Sequence, residues 1–293
     1  MTYTFDDSVS ANHTLKKLID AQKRGVKVCL LLDDLNNRAD KKLKAELDSH
    51  GGIVHSLNMI APYWTEFRLS RGQFRRHHEK VFIADGESIM GSSNITDDYG
   101  GPVYGSFDFV DLNIRMKNLC LNQVRSFFGE IANYYNYNLD RDLPNKDIIE
   151  KYNEKHADSI FEIPKVKLIR TQPPHIEEIQ DFILQKIHES KESIKIIQPY
   201  YYPIRKFEKA LLSALKRGVS VELITTAKRD QPAYTSLKNI LLLNELVKNG
   251  LKVYEVHDKL LHMKSYQYDD KLYTTGNDDI DVRNNLTKLY RVI

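Results

Sequence analysis

HEKVFIAD, residues 78–85, recurs in outline at 262–269, where His262-Met263-Lys264 is followed by Asp269 at the same distance. Given that roughly a quarter of residues are charged, His-x-Lys-x-x-x-x-Asp should arise by chance about once in a hundred histidines. The chain has 10 His and carries the pattern twice. Working outward from the two copies, LKKLIDAQKRGVKVCLLLDD (15–34) and FEKALLSALKRGVSVELITT (207–226) share Lys-Arg-Gly-Val. Each reads as an amphipathic helix, a Gly suited to a left-handed cap (Gly25, Gly218), and a strand rich in Leu and β-branched residues. A second helical segment ending in Gly follows in each half, KKLKAELDSHGG (41–52) and KNILLLNELVKNG (238–250). A short strand comes next, IVHSL or LKVYEV, and then the His-x-Lys strand. The order of elements is the same twice, which is an internal repeat.

Alternating helices and strands predict an α/β fold in each half, a mixed sheet flanked by helices. Residues 139–165 are charged, contain two prolines and lack periodicity, so they read as a linker between a first half at 1–138 and a second at 166–293. Before the linker, Phe127, Phe128, Ile131, Tyr134 and Tyr135 recur at helical spacing and predict an amphipathic helix that packs its aromatic face.

Composition sets limits on this reading. Of 293 residues 41% are apolar, enough for one large or two ordinary cores. The 43 Lys and Arg against 40 Asp and Glu leave +3, so no strong overall field draws the chain to nucleic acid or anionic lipid. Cys29 and Cys120 make no metal or disulfide pattern. The longest apolar runs, such as 28–32 and 194–203, fall short of the ~20 residues of a membrane-spanning helix. The expected location is cytoplasmic or peripheral at a membrane.

Residues two apart on a strand share a face, so His78 projects with Lys80 and His262 with Lys264. Imidazole beside ammonium suits a phosphodiester: the His attacks or carries a proton, and the Lys neutralises the non-bridging oxygens. Displacement at phosphorus needs an attacking group on one side and a proton donor on the other, so two half-sites are expected to make one site. Asp85 and Asp269 lie past the strands, placed to fix a turn or pair with the Lys. After the first motif GSSN (91–94) offers Ser92, Ser93 and Asn94 as donors to phosphate oxygens.

The duplicated His-x-Lys-x-x-x-x-Asp followed by Gly-Ser-x-Asn resembles the phospholipase D superfamily over nearly the whole length. QPYYYP (198–203), LHMK (261–264), GNDDIDVRN (276–284), NITDDYGG (94–101) and FVDLNIRM (109–116) are most similar to bacterial-type cardiolipin synthases. The resemblance implies two phospholipase D-like α/β halves related by a pseudo-twofold, a site at their interface, and chemistry without metal or other cofactor. It implies a phosphohistidine on His78, with His262 protonating the leaving alcohol and then deprotonating the incoming one, or the same two roles exchanged. It also implies Lys80, Lys264 and Asn94 on phosphate oxygens, Ser92 or Ser93 assisting, and Asp111 orienting the first-half His.

The departures fall mostly in the second half. Asn277 and Asp279 stand where Ser or Thr and Asn are usual, and the acid expected at the second His falls at Tyr290. In the first half, five residues separate Asp85 from Gly91 where the family has six. The chain begins inside the expected first strand and stops before the family's final helix, so a shortened sequence missing any membrane anchor is expected.

Between the second strand and the first motif, Met59, Ile60, Tyr63, Trp64, Phe67 and Leu69 mingle with Arg68, Arg71, Arg75 and Arg76. Such a segment suits a lipid surface with Arg on head-group phosphate, single-stranded nucleic acid, or a loop tucked against the other half. Three functions stand side by side: a phosphatidyltransferase or phospholipase on phosphatidylglycerol or a similar phospholipid at a membrane surface; a phosphodiesterase nuclease; and a non-catalytic scaffold.

Overall fold

The computed structural model describes residues 1–33, 36–57, 76–104, 109–117, 167–172, 176–201, 204–227, 243–277 and 286–292. In chain order the elements are α1 (Val9–Lys23), β1 (Cys29–Asp33), α2 (Lys41–Ser49), β2 (Ile53–Leu57), β3 (Arg76–His77), β4 (Val81–Ala84) and β5 (Glu87–Gly91). Next come β6 (Phe109–Val110), β7 (Asn113–Lys117), β8 (Lys167–Gln172), β9 (Ile176–Glu177), α3 (Glu178–Glu189), β10 (Ser193–Ile197), α4 (Arg205–Lys216) and β11 (Ser220–Thr226). A helical turn at 243–248 follows. The last are β12 (Lys252–Val256), β13 (Leu260–Leu261), β14 (Lys264–Tyr268), β15 (Leu272–Gly276) and β16 (Leu286–Val292).

The chain is mixed α/β and divides into two compact units. One comprises the described residues within Met1–Met90, Asn94–Ser106 and Asn113–Val166; the other those within Gly91–Ser93, Phe107–Leu112 and Lys167–Ile293. Two short pieces of the first sequence half thus belong to the second unit.

In the first unit β1 and β2 pair in parallel, while β4 and β5 are antiparallel neighbours in a sheet of order β4-β5-β7. Residues 1–5 tie these sheets together: Thr2 bridges Leu32, and the Met1 carbonyl accepts from the Val81 amide at 2.9 Å. Helix α1 is capped by the Ser8 side chain and lays Ala11, Leu15 and Ile19 against Phe5, Leu30, Leu32 and Leu47. This is the i, i+4 stripe of an amphipathic helix.

In the second unit one sheet runs β12-β11-β10-β14-β15-β16-β8-β9. β10, β11 and β12 are parallel, and β14 onward antiparallel. Ile179, Ile183 and Ile187 of α3 and Ala210, Leu211 and Ala214 of α4 cover Ile194, Ile196, Val221 and Leu223 of the sheet. Helix α1 ends at Gly25 and α4 at Gly218, with φ of 88° and 87°. That left-handed conformation has no steric cost without a Cβ, so the shared Lys-Arg-Gly-Val stops both helices in one way.

Among the described residues no helix is long and apolar enough to cross a membrane. The helix expected at 122–137 and the linker at 139–165 lie outside the described residues.

Candidate active site

Neither motif histidine lies inside a strand: His78 and Lys80 precede β4, and His262 precedes β14, which starts at Lys264. The chain there is nonetheless extended, and alternation sorts the first motif by face. His78 and Lys80 both meet the Tyr3 ring, with centroids 4.7 Å apart for His78 and the Lys80 ammonium 5.1 Å from the ring centre. His77 and Glu79 pair with each other, His77 Nδ1 to Glu79 Oε2 at 3.4 Å. The Lys80 ammonium donates to the His78 carbonyl at 2.7 Å, and Lys264 donates to the His262 carbonyl at 2.8 Å. The two copies therefore fold back on themselves alike, and all four side chains are buried.

His262 carries the fuller set of described partners. Its Nδ1 meets Asp111 Oδ2 at 2.9 Å, its Nε2 meets the Lys264 ammonium at 3.3 Å, and the Phe109 ring stands near-perpendicular to it at 5.9 Å between centroids. A carboxylate accepts only, so Nδ1 carries the hydrogen and Nε2 has the lone pair directed at Lys264. Backbone pairing fixes this arrangement: β6 runs parallel to β13, and the Val110 carbonyl accepts from the amides of His262 and Met263 at 2.8 and 3.2 Å. Asp111 follows Val110 directly, so the strand pair delivers its carboxylate to the imidazole. Ser92 donates to the other Asp111 oxygen, which also accepts from the Leu112 amide at 2.8 Å. Burial opposes ionisation of Asp111, but the bond and charge of His262, the charge of Lys264 and the Ser92 hydroxyl outweigh it and hold its pKa below the usual carboxylate value.

Several expected roles change here. Asp111 was expected to orient His78; it orients His262, because residues 109–112 belong to the second unit. Ser92 was expected on phosphate in the first half-site; it is fully buried and supports Asp111. Asn94 accepts from the Thr4 amide at 3.2 Å and donates to the Tyr99 hydroxyl at 3.2 Å, so its amide joins residues 1–5 to the chain after β5. Asp269, expected to fix a turn or pair with the Lys, holds backbone: its carboxylate accepts from the amides of Lys191, Glu192 and Ser193 at 2.8 to 3.1 Å. Asp85 is its counterpart, in the turn between β4 and β5, with φ 49° against 51°.

A family model described as cardiolipin synthase, PLD-like domain, matches residues 1–99 and 183–287. The chain belongs to that family. A cardiolipin synthase of Clostridium perfringens is 25% identical over 96% of this chain and 58% of its own length. A minor cardiolipin synthase of Bacillus subtilis is 27% identical over 95% of this chain and 65% of its own. The chain thus spans about 60% of the length of these relatives. Among solved structures, a phosphatidylserine synthase of Haemophilus influenzae superposes with TM-score 0.70 at 14% identity, over 99% of this chain and 75% of that one, a likeness of fold.

Within this PLD-like family member, Ser93 is half-buried and Asn277 buried at the end of β15, each with polar or ring contacts. Trp64, Arg68, Arg71, Arg75 and Asp279 lie outside the described residues, as do the side chains of Arg76 and Tyr290. Among the described residues no group of three or more His, Cys, Asp or Glu side chains is placed to hold a metal ion. Sequence reasoning missed Tyr3 and Phe109, the aromatic companions of the two histidines. The signal for Tyr3 was present: MTYTF stands before α1 as QPYYYP stands before α4.

Proposed function

We propose that this chain transfers a phosphatidyl group between alcohols, with a phospholipid such as phosphatidylglycerol as donor, at the surface of a membrane. The observation that carries the reading is the line Asp111, His262, Lys264. A proton carrier must exist both neutral and charged, and a carboxylate on Nδ1 stabilises the imidazolium while fixing the tautomer. A phosphodiester oxygen draws the Lys264 ammonium away from Nε2, which is then able to hold a proton.

In the proposed sequence His78 attacks phosphorus as the bond to the leaving alcohol breaks, and His262 gives that alcohol its proton. The neutral His262 then takes the proton of the incoming hydroxyl. That oxygen bonds to phosphorus, and the bond to His78 breaks, restoring both rings. Lys80 and Lys264 neutralise the phosphate oxygens throughout. Support for a lipid donor comes from the cardiolipin synthase family model and from the apolar, Arg-rich sequence between Met59 and Arg76.

The test is incubation with phosphatidylglycerol vesicles and, separately, with single-stranded DNA, followed by thin-layer chromatography and intact-mass measurement. A lipid product, and a phosphatidyl adduct lost in His78→Asn, is expected. Cleavage of DNA with no lipid product makes it a nuclease, and an adduct persisting in His78→Asn moves the attack elsewhere.

A further inference from the structure

We propose that Tyr3 is a positioning residue for the first half-site, its ring in contact with both the imidazole of His78 and the ammonium of Lys80. The ring lies 4.7 Å from His78 between centroids, tilted by 57°, and 5.1 Å from the Lys80 ammonium. An aromatic face is the negative end of a quadrupole, so it attracts the ammonium and favours a positively charged imidazole over a neutral one. His262 has a carboxylate for that purpose. A ring that becomes charged when phosphorus bonds to it gains the same kind of support from Tyr3.

The backbone holds Tyr3 on both sides. The Thr2 amide donates to the Leu31 carbonyl at 3.2 Å and the Thr4 amide to Asn94 Oδ1 at 3.2 Å. The Thr4 carbonyl accepts from the Ile95 amide at 3.1 Å, and the Met1 carbonyl from the Val81 amide next to Lys80. The segment is thus pinned between β1 and the start of β4, which fixes the backbone from which the Tyr3 ring projects. Of the charged groups around His78, Lys80 bonds its carbonyl, while His77 and Glu79 pair together on the opposite face. In the second half the Phe109 ring stands at 71° to that of His262, with centroids 5.9 Å apart.

The role in turnover rests on the proposed phosphatidyl transfer; the effect on His78 does not, so the two are read separately. The His78 ring is titrated by NMR in wild type, Tyr3→Phe and Tyr3→Leu, and in a series with mono-, di- and trifluorophenylalanine at position 3, which weakens the quadrupole at nearly constant size. The His78 pKa is expected to stay close to wild type in Tyr3→Phe and to fall stepwise along the fluorinated series. With phosphatidylglycerol vesicles, kcat should fall about tenfold from the phenylalanine to the trifluorinated protein, with KM nearly unchanged. A flat titration series overturns the proposal, even if Tyr3→Leu fails to fold. A graded titration in a protein without lipid activity supports the Tyr3 contact and refutes the phosphatidyl transfer reading instead.

Discussion

At Asp111 one carboxylate has two tasks, since one oxygen fixes the His262 tautomer while the other is held by the Ser92 hydroxyl and the Leu112 amide. Asp111→Asn keeps the shape but offers an amide that can donate to Nδ1, favouring the wrong tautomer. The expected result is a loss of about 10²- to 10⁴-fold in kcat with KM little changed, measured at saturating phosphatidylglycerol. Ser92→Ala leaves the carboxylate in place and should cost far less. The identities of both histidines and both lysines were legible in the sequence, because a repeated pattern of fixed spacing needs no knowledge of distance. The partner of Asp111 was not legible. It depends on a two-residue strand pairing across about 150 positions of chain, and no local pattern encodes such a contact.

The elements were read more fully, because helix, cap and strand are local properties. Gly25 and Gly218 end their helices as the repeated Lys-Arg-Gly-Val predicts. The turn after the second motif shows how an acid at the end of the pattern is spent on structure. Burial disfavours the Asp269 carboxylate, but amides of residues 191 to 193 hold its pKa below the ordinary value. A depressed pKa contributes stability that is present above the unfolded value of ~3.9 and is lost as pH falls through the lower folded value. Loss of the bonds to three amides in Asp269→Ala should lower unfolding free energy by about 1 kcal/mol at pH 7, in the manner of a lost helix cap, and the part owed to the carboxylate should fade in an acid denaturation series. A second test concerns the α2–β2 junction, where a Cβ on Gly52 would lie 2.7 Å from Leu47 side-chain carbons. Gly52→Ala should destabilise the protein by about 1 to 3 kcal/mol in urea, and part of that should return with Leu47→Val.

On the scale of the whole molecule, the sequence suggested a division into consecutive halves, and the contacts draw a different line. Phe109 to Leu112 are encoded in the first half but pair with β13 and His262. Residues 167–293 expressed alone lack that strand, and the His262 and Met263 amides lose the Val110 carbonyl. Hydrogen exchange should then find these two amides unprotected, while the Ile196 and Leu223 amides in the sheet core remain slow. Protection equal to that of the full chain would show that the β6–β13 pair is dispensable.

The crossing of that short strand has a consequence for inheritance. A substitution at codon 111 is felt at residue 262, so selection couples positions that lie in different copies of the duplication. Among aligned relatives, a lineage that has lost the imidazole at 262 should also have released the acid at 111. Neither copy can then decay alone, and the two copies behave as a single heritable unit.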